Sequence, residues 1–217
     1  MTAITISREI GSLGDWIAEQ TAQELGFHLV NKHTLESIFR QYSFADFNET
    51  YDMSSFWTRF DQHHEELVTL LNRFIQALAA HGNVVLVGRG GFSALKDVAD
   101  VLNARIQAPI LMRIQQVMKE NNLTDETAAQ SFVQAQDQIR QNFLQAAYGK
   151  HWNTASAFDL VIDTGKISPQ TAVNLLVESA HNLGDKKFTT QILCRELKID
   201  PVAAQTIHEV LSDELTF

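Results

Sequence analysis

The chain is short of the residues that build covalent or stiff scaffolds. Of its 217 residues one is cysteine, Cys194, and three are proline, Pro109, Pro169 and Pro201. A single thiol excludes an intrachain disulfide framework and fits a reducing compartment, so a cytoplasmic location is expected. No apolar run approaches the ~20 residues of a membrane span. The opening Met1–Ile10 reads as a short strand followed by a charged pair, not as a signal peptide. Basic residues are scarce too: 17 Lys and Arg stand against 26 Asp and Glu, a net charge of −9. That balance argues against sequence-blind nucleic-acid binding, which needs a basic face. It leaves room for a small anionic ligand, because a few well-placed arginines can hold a phosphate on an acidic protein. Neither low-complexity segments nor repeats at solenoid spacing occur.

What is present is an ordinary apolar content, 45%, in a chain of single-domain length. Ala3–Ser7 is short, β-branched and stops at a polar turn, which predicts a buried strand. Apolar residues at helical spacing follow over Asp15–Leu25, and Gly26 is a helix stop. Phe27–Val30 suits a second short strand. The stretch from about Met53 to Ala80 carries one broad apolar face through Leu67, Leu70, Leu71, Phe74, Ile75 and Leu78. The continuous run Val84–Val87 marks a central parallel strand. Asn103–Ala108 predicts another strand, Pro109 opens a helix to about Glu120, and Thr124 caps a further helix extending to about Ala147. Phe158–Thr164 is an apolar strand, and Ser168-Pro169 starts a helix to about His181. Strands alternating with helices imply an α/β fold: a parallel sheet in three layers, flanked by helices, with right-handed crossovers. Ligands bind such sheets beyond the C-terminal strand ends, so the turns after Ser7, Gly88 and Asp163 should meet at one edge.

Three places carry candidate chemistry. The first is the turn Ser7-Arg8-Glu9-Ile10-Gly11-Ser12-Leu13-Gly14, whose strand–turn–helix layout aims backbone N–H groups at a phosphate. Laid over it, the phosphate-loop pattern G-x-x-x-x-G-K-[ST] puts Arg8, Leu13, Gly14 and Asp15 in its four defining columns, and all four miss. The bland alternative is a tight turn that needs glycines for its backbone. The second is Gly88-Arg89-Gly90-Gly91, where an arginine at a strand end presents a planar fork suited to phosphate, or pairs with a local acid. The third is Asp137 with Arg140, three apart on a helix and either an exposed pair or part of a cleft that Arg113 also faces. No metal-ligand set is expected. His63, His64 and Glu65 are adjacent on a helix and point apart, so they read as a solvated face.

Several blocks together resemble the cytidylate kinase-like family of P-loop nucleoside monophosphate kinases. They are Ile4–Ser12, Val84–Gly90, Ala108-Pro109 with Arg113 and Val117-Met118, Asp137–Arg140 with Phe143, Gly149 with Trp152, and Phe158–Thr164. The resemblance spans roughly residues 2–180. It implies a P-loop NTPase sheet, a nucleotide-monophosphate-binding insertion at about 32–82 and an arginine-bearing lid at about 113–150. The domain would cover 1–184, with 185–217 a short helical appendage. It further implies phosphoryl transfer from ATP with Mg2+ to CMP, dCMP or a related nucleotide. Ser7, Arg8, Gly11, Ser12 and Gly14 would cradle donor phosphates. Gly88 and Arg89 would meet the acceptor's phosphate, while Arg113 and Arg140 stabilise the transferred group and Asp137 orients them. The turn departs from the family pattern Ser-Arg-x-x-Gly-Ser-Gly-Gly-Arg at Leu13 and Asp15. A branched side chain at 13 disfavours positive φ. An acid at 15 favours the helix N-terminus but competes with phosphate for the same dipole. A catalytically silent nucleotide-binding or interaction module on the same fold is the alternative. The aromatic set Phe44, Phe47, Tyr51, Phe56, Trp57 and Phe60 can stack a base or pack the insertion. The tail, with two short helices expected over Thr189–Leu197 and from Pro201 to about Leu211, suggests a homodimer or protein-partner contact.

Overall fold

A computed structural model describes residues 3–47, 65–149 and 154–214. Its strands are β1 (Ala3–Arg8), β2 (His28–Val30), β3 (Val84–Val87), β4 (Val101–Gln107) and β5 (Leu160–Asp163). They form a parallel sheet in the order β2-β3-β1-β4-β5. Ile6 lies between Val87 and Ala104, so β1 is the central strand and is buried on both faces. The helices are α1 (Gly14–Leu25), α2 (Lys32–Phe47), α3 (Glu65–His81), α4 (Gly91–Ala94), α5 (Ile110–Glu120), α6 (Glu126–Tyr148), α7 (Pro169–Asp185) and α8 (Pro201–Glu214).

Alternation along the strands divides the core between the two faces. Ala3, Val84 and Leu86 pack with Leu35, Ile38, Phe74 and Leu78 from α2 and α3. Ile4, Ile6, Val85 and Val87 pack with Ile17 and Ala18 of α1 and Val173 and Leu176 of α7. Side chains point to opposite faces at every second residue, and each fully buried Ile, Leu or Phe contributes roughly 1.5–3 kcal/mol. A third, small cluster joins Ile114 and Val117 of α5 to Ala129 and Val133 of α6.

Lys32–Phe47 forms a further helix, α2, not anticipated from the sequence. Two expectations need correction. Asp125, not Thr124, caps α6, its carboxylate accepting from the amides of Thr127 and Ala128. Thr189–Leu197 holds only a single 3-10 turn, Cys194–Glu196. The tail packs onto the rest of the chain: Cys194, Ala203, Ile207 and Leu211 are buried in the larger core. Ala99 donates to the Ile192 carbonyl at 2.9 Å and the Cys194 amide to Asp100 Oδ1 at 2.7 Å, which stitches the segment onto the sheet side. His63, His64 and the aromatic set from Phe44 to Phe60 lie outside the residues whose side chains are described.

Candidate functional site

The parallel arrangement brings the C-terminal ends of β1 and β3 side by side, with the Gly88 amide donating to the Ile6 carbonyl at 2.9 Å. Beyond that edge lies a cleft of about 390 Å³. Its floor is the end of β1, from Thr5 to Arg8, and the turn Gly88–Gly90. Its far wall is a stripe of α6, Gln136, Ile139, Arg140 and Phe143, spaced as one helix face. Lys32, at the start of α2, and Phe92 of α4 complete it. Ser7, Arg8, Gly88, Arg89 and Arg140 of the expected site therefore share one cleft.

The turn Gly88-Arg89-Gly90 is left-handed at three successive residues, with φ of 75, 54 and 73°. Glycine adopts this freely and arginine does so at a cost of roughly 1 kcal/mol, a strain of the kind found at ligand clamps. A Cβ at Gly88 would lie 2.4 Å from Arg8 Nη1, so the glycine makes room for that guanidinium at the cleft floor.

The turn after β1 is differently built from a phosphate loop. Gly11, at φ 75°, presses on α5: a Cβ there would sit 2.5 Å from the Arg113 carbonyl oxygen. Ser12 is buried, its hydroxyl donating to the Glu9 carbonyl at 2.8 Å. Thr164 Oγ1 donates to the Ser12 carbonyl at 3.0 Å, so the end of β5 does meet this turn as expected. Leu13 occupies the left-handed region, φ 62°, in spite of its side chain, and forms the N-cap of α1. Gly14 opens the helix against the Arg8 side chain. Asp15 makes no cap: it binds Arg8, with Nε 3.0 Å and Nη2 2.9 Å from the same carboxylate oxygen. The first-turn amides of α1 have no acceptor inside the helix, as at any helix start.

Arg113 and Asp137 do not line the cleft. Arg113 is 6% exposed. Its Nη1 donates to Asp137 Oδ2 at 2.8 Å, and its Nε lies 3.4 Å from Glu9 Oε2. Glu9 also accepts from Arg105 Nη2 at 3.1 Å and from the Ala108 amide at 3.1 Å. Burial lowers the Arg105 pKa, against the raising effect of Glu9. Burial likewise lowers the pKa of Arg140, and the like charge of Arg8 adds to it, while Asp137 and Asp15 act in the opposite sense. The guanidinium groups of Arg8 and Arg140 thus face each other's field in a site that accumulates positive charge. Sequence reasoning missed Glu9 and Lys32. A signal for Glu9 was available: an arginine in the middle of the apolar strand Val101–Gln107 demands a buried acid.

Magnesium takes one or two carboxylates together with phosphate oxygens. Asp15, the acid at the turn, is engaged by Arg8, and among the described residues no group of three or more His, Cys, Asp or Glu side chains can hold a metal. Among the described residues no helix is long and apolar enough to cross a membrane.

The model of the cytidylate kinase-like family matches residues 3–166. This chain belongs to that family. A cytidylate kinase of Pyrococcus abyssi is 29% identical over 184 residues, 84% of this chain and 96% of that one. A uronate isomerase of Corynebacterium glutamicum is 32% identical over 97 residues, but those cover 44% of this chain and only 18% of the isomerase. Among solved structures, an uncharacterized protein from Eubacterium ventriosum superposes with a TM-score of 0.67 at 21% identity, covering 83% of this chain and 99% of that chain. At that identity the likeness speaks for the fold.

Proposed function

We propose that the chain is a nucleoside monophosphate kinase that binds its acceptor's phosphate in the cleft between the β1–β3 edge and α6. The observation that carries this reading is the gathering of Arg8, Arg89, Arg140 and Lys32 around one cavity on a protein of net charge −9. Cations assemble against the overall charge where an anion is to be held. Arg89 and Lys32 bind the acceptor phosphate, and Phe92 and Phe143 offer the apolar wall for a base. Arg140, carried by the lid helix, offsets charge on the transferred phosphoryl group. In the transfer, an acceptor phosphate oxygen forms a bond to the γ-phosphorus of a nucleoside triphosphate as the bond to the departing diphosphate breaks. Catalysis of this kind rests on positioning and charge neutralisation, which is what guanidinium groups supply. The names of the cytidylate kinase relatives favour CMP or dCMP as the acceptor. The test is diphosphate formation with CMP, dCMP, UMP and AMP, each with ATP and magnesium; turnover with a pyrimidine monophosphate supports the reading.

A second reading, nucleotide binding without transfer, is favoured by the Arg8–Asp15 pair and the missing loop lysine. Calorimetry separates the two. Monophosphate binding with no triphosphate binding favours the silent module, and binding of both favours the kinase.

A further inference from the structure

Glu9 takes no part in the proposed transfer, yet three segments close on its carboxylate. Arg105 of β4 and the Ala108 amide donate to it, each at 3.1 Å, and Arg113 of α5 reaches it at 3.4 Å. Arg113 then passes the contact on to α6 through its 2.8 Å hydrogen bond to Asp137. Asp137 directly follows Gln136 in the helix and precedes Arg140 by three residues, beside the stripe of α6 that faces the cleft. Residues three apart share a helix side, so whatever turns Asp137 about the helix axis turns Arg140 with it.

We propose that Glu9 is a positioning residue: acting through Arg113 and Asp137, it sets the rotation of α6 and hence the place of Arg140 in the cleft. The inference rests on the reading of the cleft as a nucleotide site. Two features support it. Arg105 and Arg113 are nearly excluded from water, and a buried charge that loses its partner must move toward solvent or another acid. In addition, Arg113 Nε and Asp137 Oδ1 are buried without an aligned hydrogen-bond partner. Arg113 Nη1 also donates to the Ile10 carbonyl at 3.4 Å, so with Glu9 neutral Arg113 keeps Ile10 and Asp137 as partners and shifts between them.

The experiment is a double-mutant cycle read by calorimetry with CMP, using wild type, Glu9→Gln, Arg140→Ala and the double variant. The expected result is about tenfold weaker CMP binding for Glu9→Gln alone and less than about twofold further loss once Arg140 is alanine. An equal loss in both backgrounds, or none in either, overturns the inference, since a purely structural role would not depend on Arg140. Failure of wild type to bind any nucleoside monophosphate would instead overturn the site reading, and the inference with it. Circular dichroism reports whether Glu9→Gln folds. Should it not, Asp137→Asn cuts the same link, and the same cycle with Arg140→Ala decides with the same outcomes.

Discussion

The Arg8 guanidinium holds the Asp15 carboxylate at 2.9 and 3.0 Å across the turn that follows β1. The pair places an internal anion where the fold presents a strand end, a left-handed turn and a helix N-terminus together. Asp15 is 64% exposed and Arg8 21%, so the pair adds little stability. Its consequence is electrostatic: Asp15 holds a cation of the cleft floor and puts a negative charge at the helix start.

Asp15→Asn should therefore strengthen binding of a nucleoside triphosphate by roughly fivefold while lowering stability by about 0.3–1 kcal/mol through the lost helix-dipole interaction. Calorimetry and thermal unfolding measure the two. Unchanged triphosphate affinity would mean that Asp15 lies outside the field of the bound phosphates.

Two positions of the same turn should respond to very different degrees. Gly11→Ala forces a Cβ to within 2.5 Å of the Arg113 carbonyl oxygen at a φ of 75°, and a loss of at least about 2 kcal/mol is expected. Leu13→Gly relieves a left-handed leucine at φ 62°. It should stay within about 1 kcal/mol of wild type, because relief of strain offsets glycine's entropy and the lost side chain. Denaturant unfolding of both variants checks the contrast.

The C-terminal helix should be indispensable to the fold. Ile207 and Leu211 are completely buried against α2 and α3. Ile207→Ala is expected to cost about 2–5 kcal/mol, and a chain ending at residue 185 should lack cooperative unfolding. Thermal unfolding of both proteins is the measurement. A truncated chain with an intact transition would restore the tail as a separable appendage.

Stability should also fall in acid through His28. Burial, and next the neighbouring His81 with its ring centroid 5.7 Å away, lower its pKa below the usual 6.5. A base whose folded pKa is depressed binds fewer protons when folded than when unfolded. The native state is therefore unpenalised above about pH 6.5 and loses stability as pH falls from there through the folded pKa. His28→Gln should flatten the dependence of the melting temperature on pH between about 7.5 and 5. An unchanged slope would assign the acid sensitivity elsewhere.

The parts of the fold legible in the sequence were those whose signals are local. Val84–Val87 is apolar at every position, and Ser168-Pro169 carries both the cap and the first helical residue; each became the expected element. Helix α2 was missed because its apolar residues Leu35, Ile38, Phe39 and Tyr42 are diluted by polar and charged neighbours, although they keep helical spacing. Thr189–Leu197 was overread as a helix because Leu193, Cys194 and Leu197 are apolar for tertiary reasons: they anchor an otherwise exposed segment to the core. In the site, Arg8 and Arg89 follow from their places at strand ends, and Arg140 from its helical spacing with Asp137. Arg113 does not, since its partner Glu9 lies more than 100 residues earlier and only the closed sheet brings the two together.

The most direct measurement is the rate of diphosphate formation from CMP with ATP and magnesium, in wild type and in Arg140→Ala. The account predicts turnover in wild type and a loss of about 10²–10³-fold in the variant, the scale for removing one stabilising group at a developing charge. Turnover equal in the two proteins would contradict the assignment of the cleft. No turnover with any monophosphate would contradict the kinase itself.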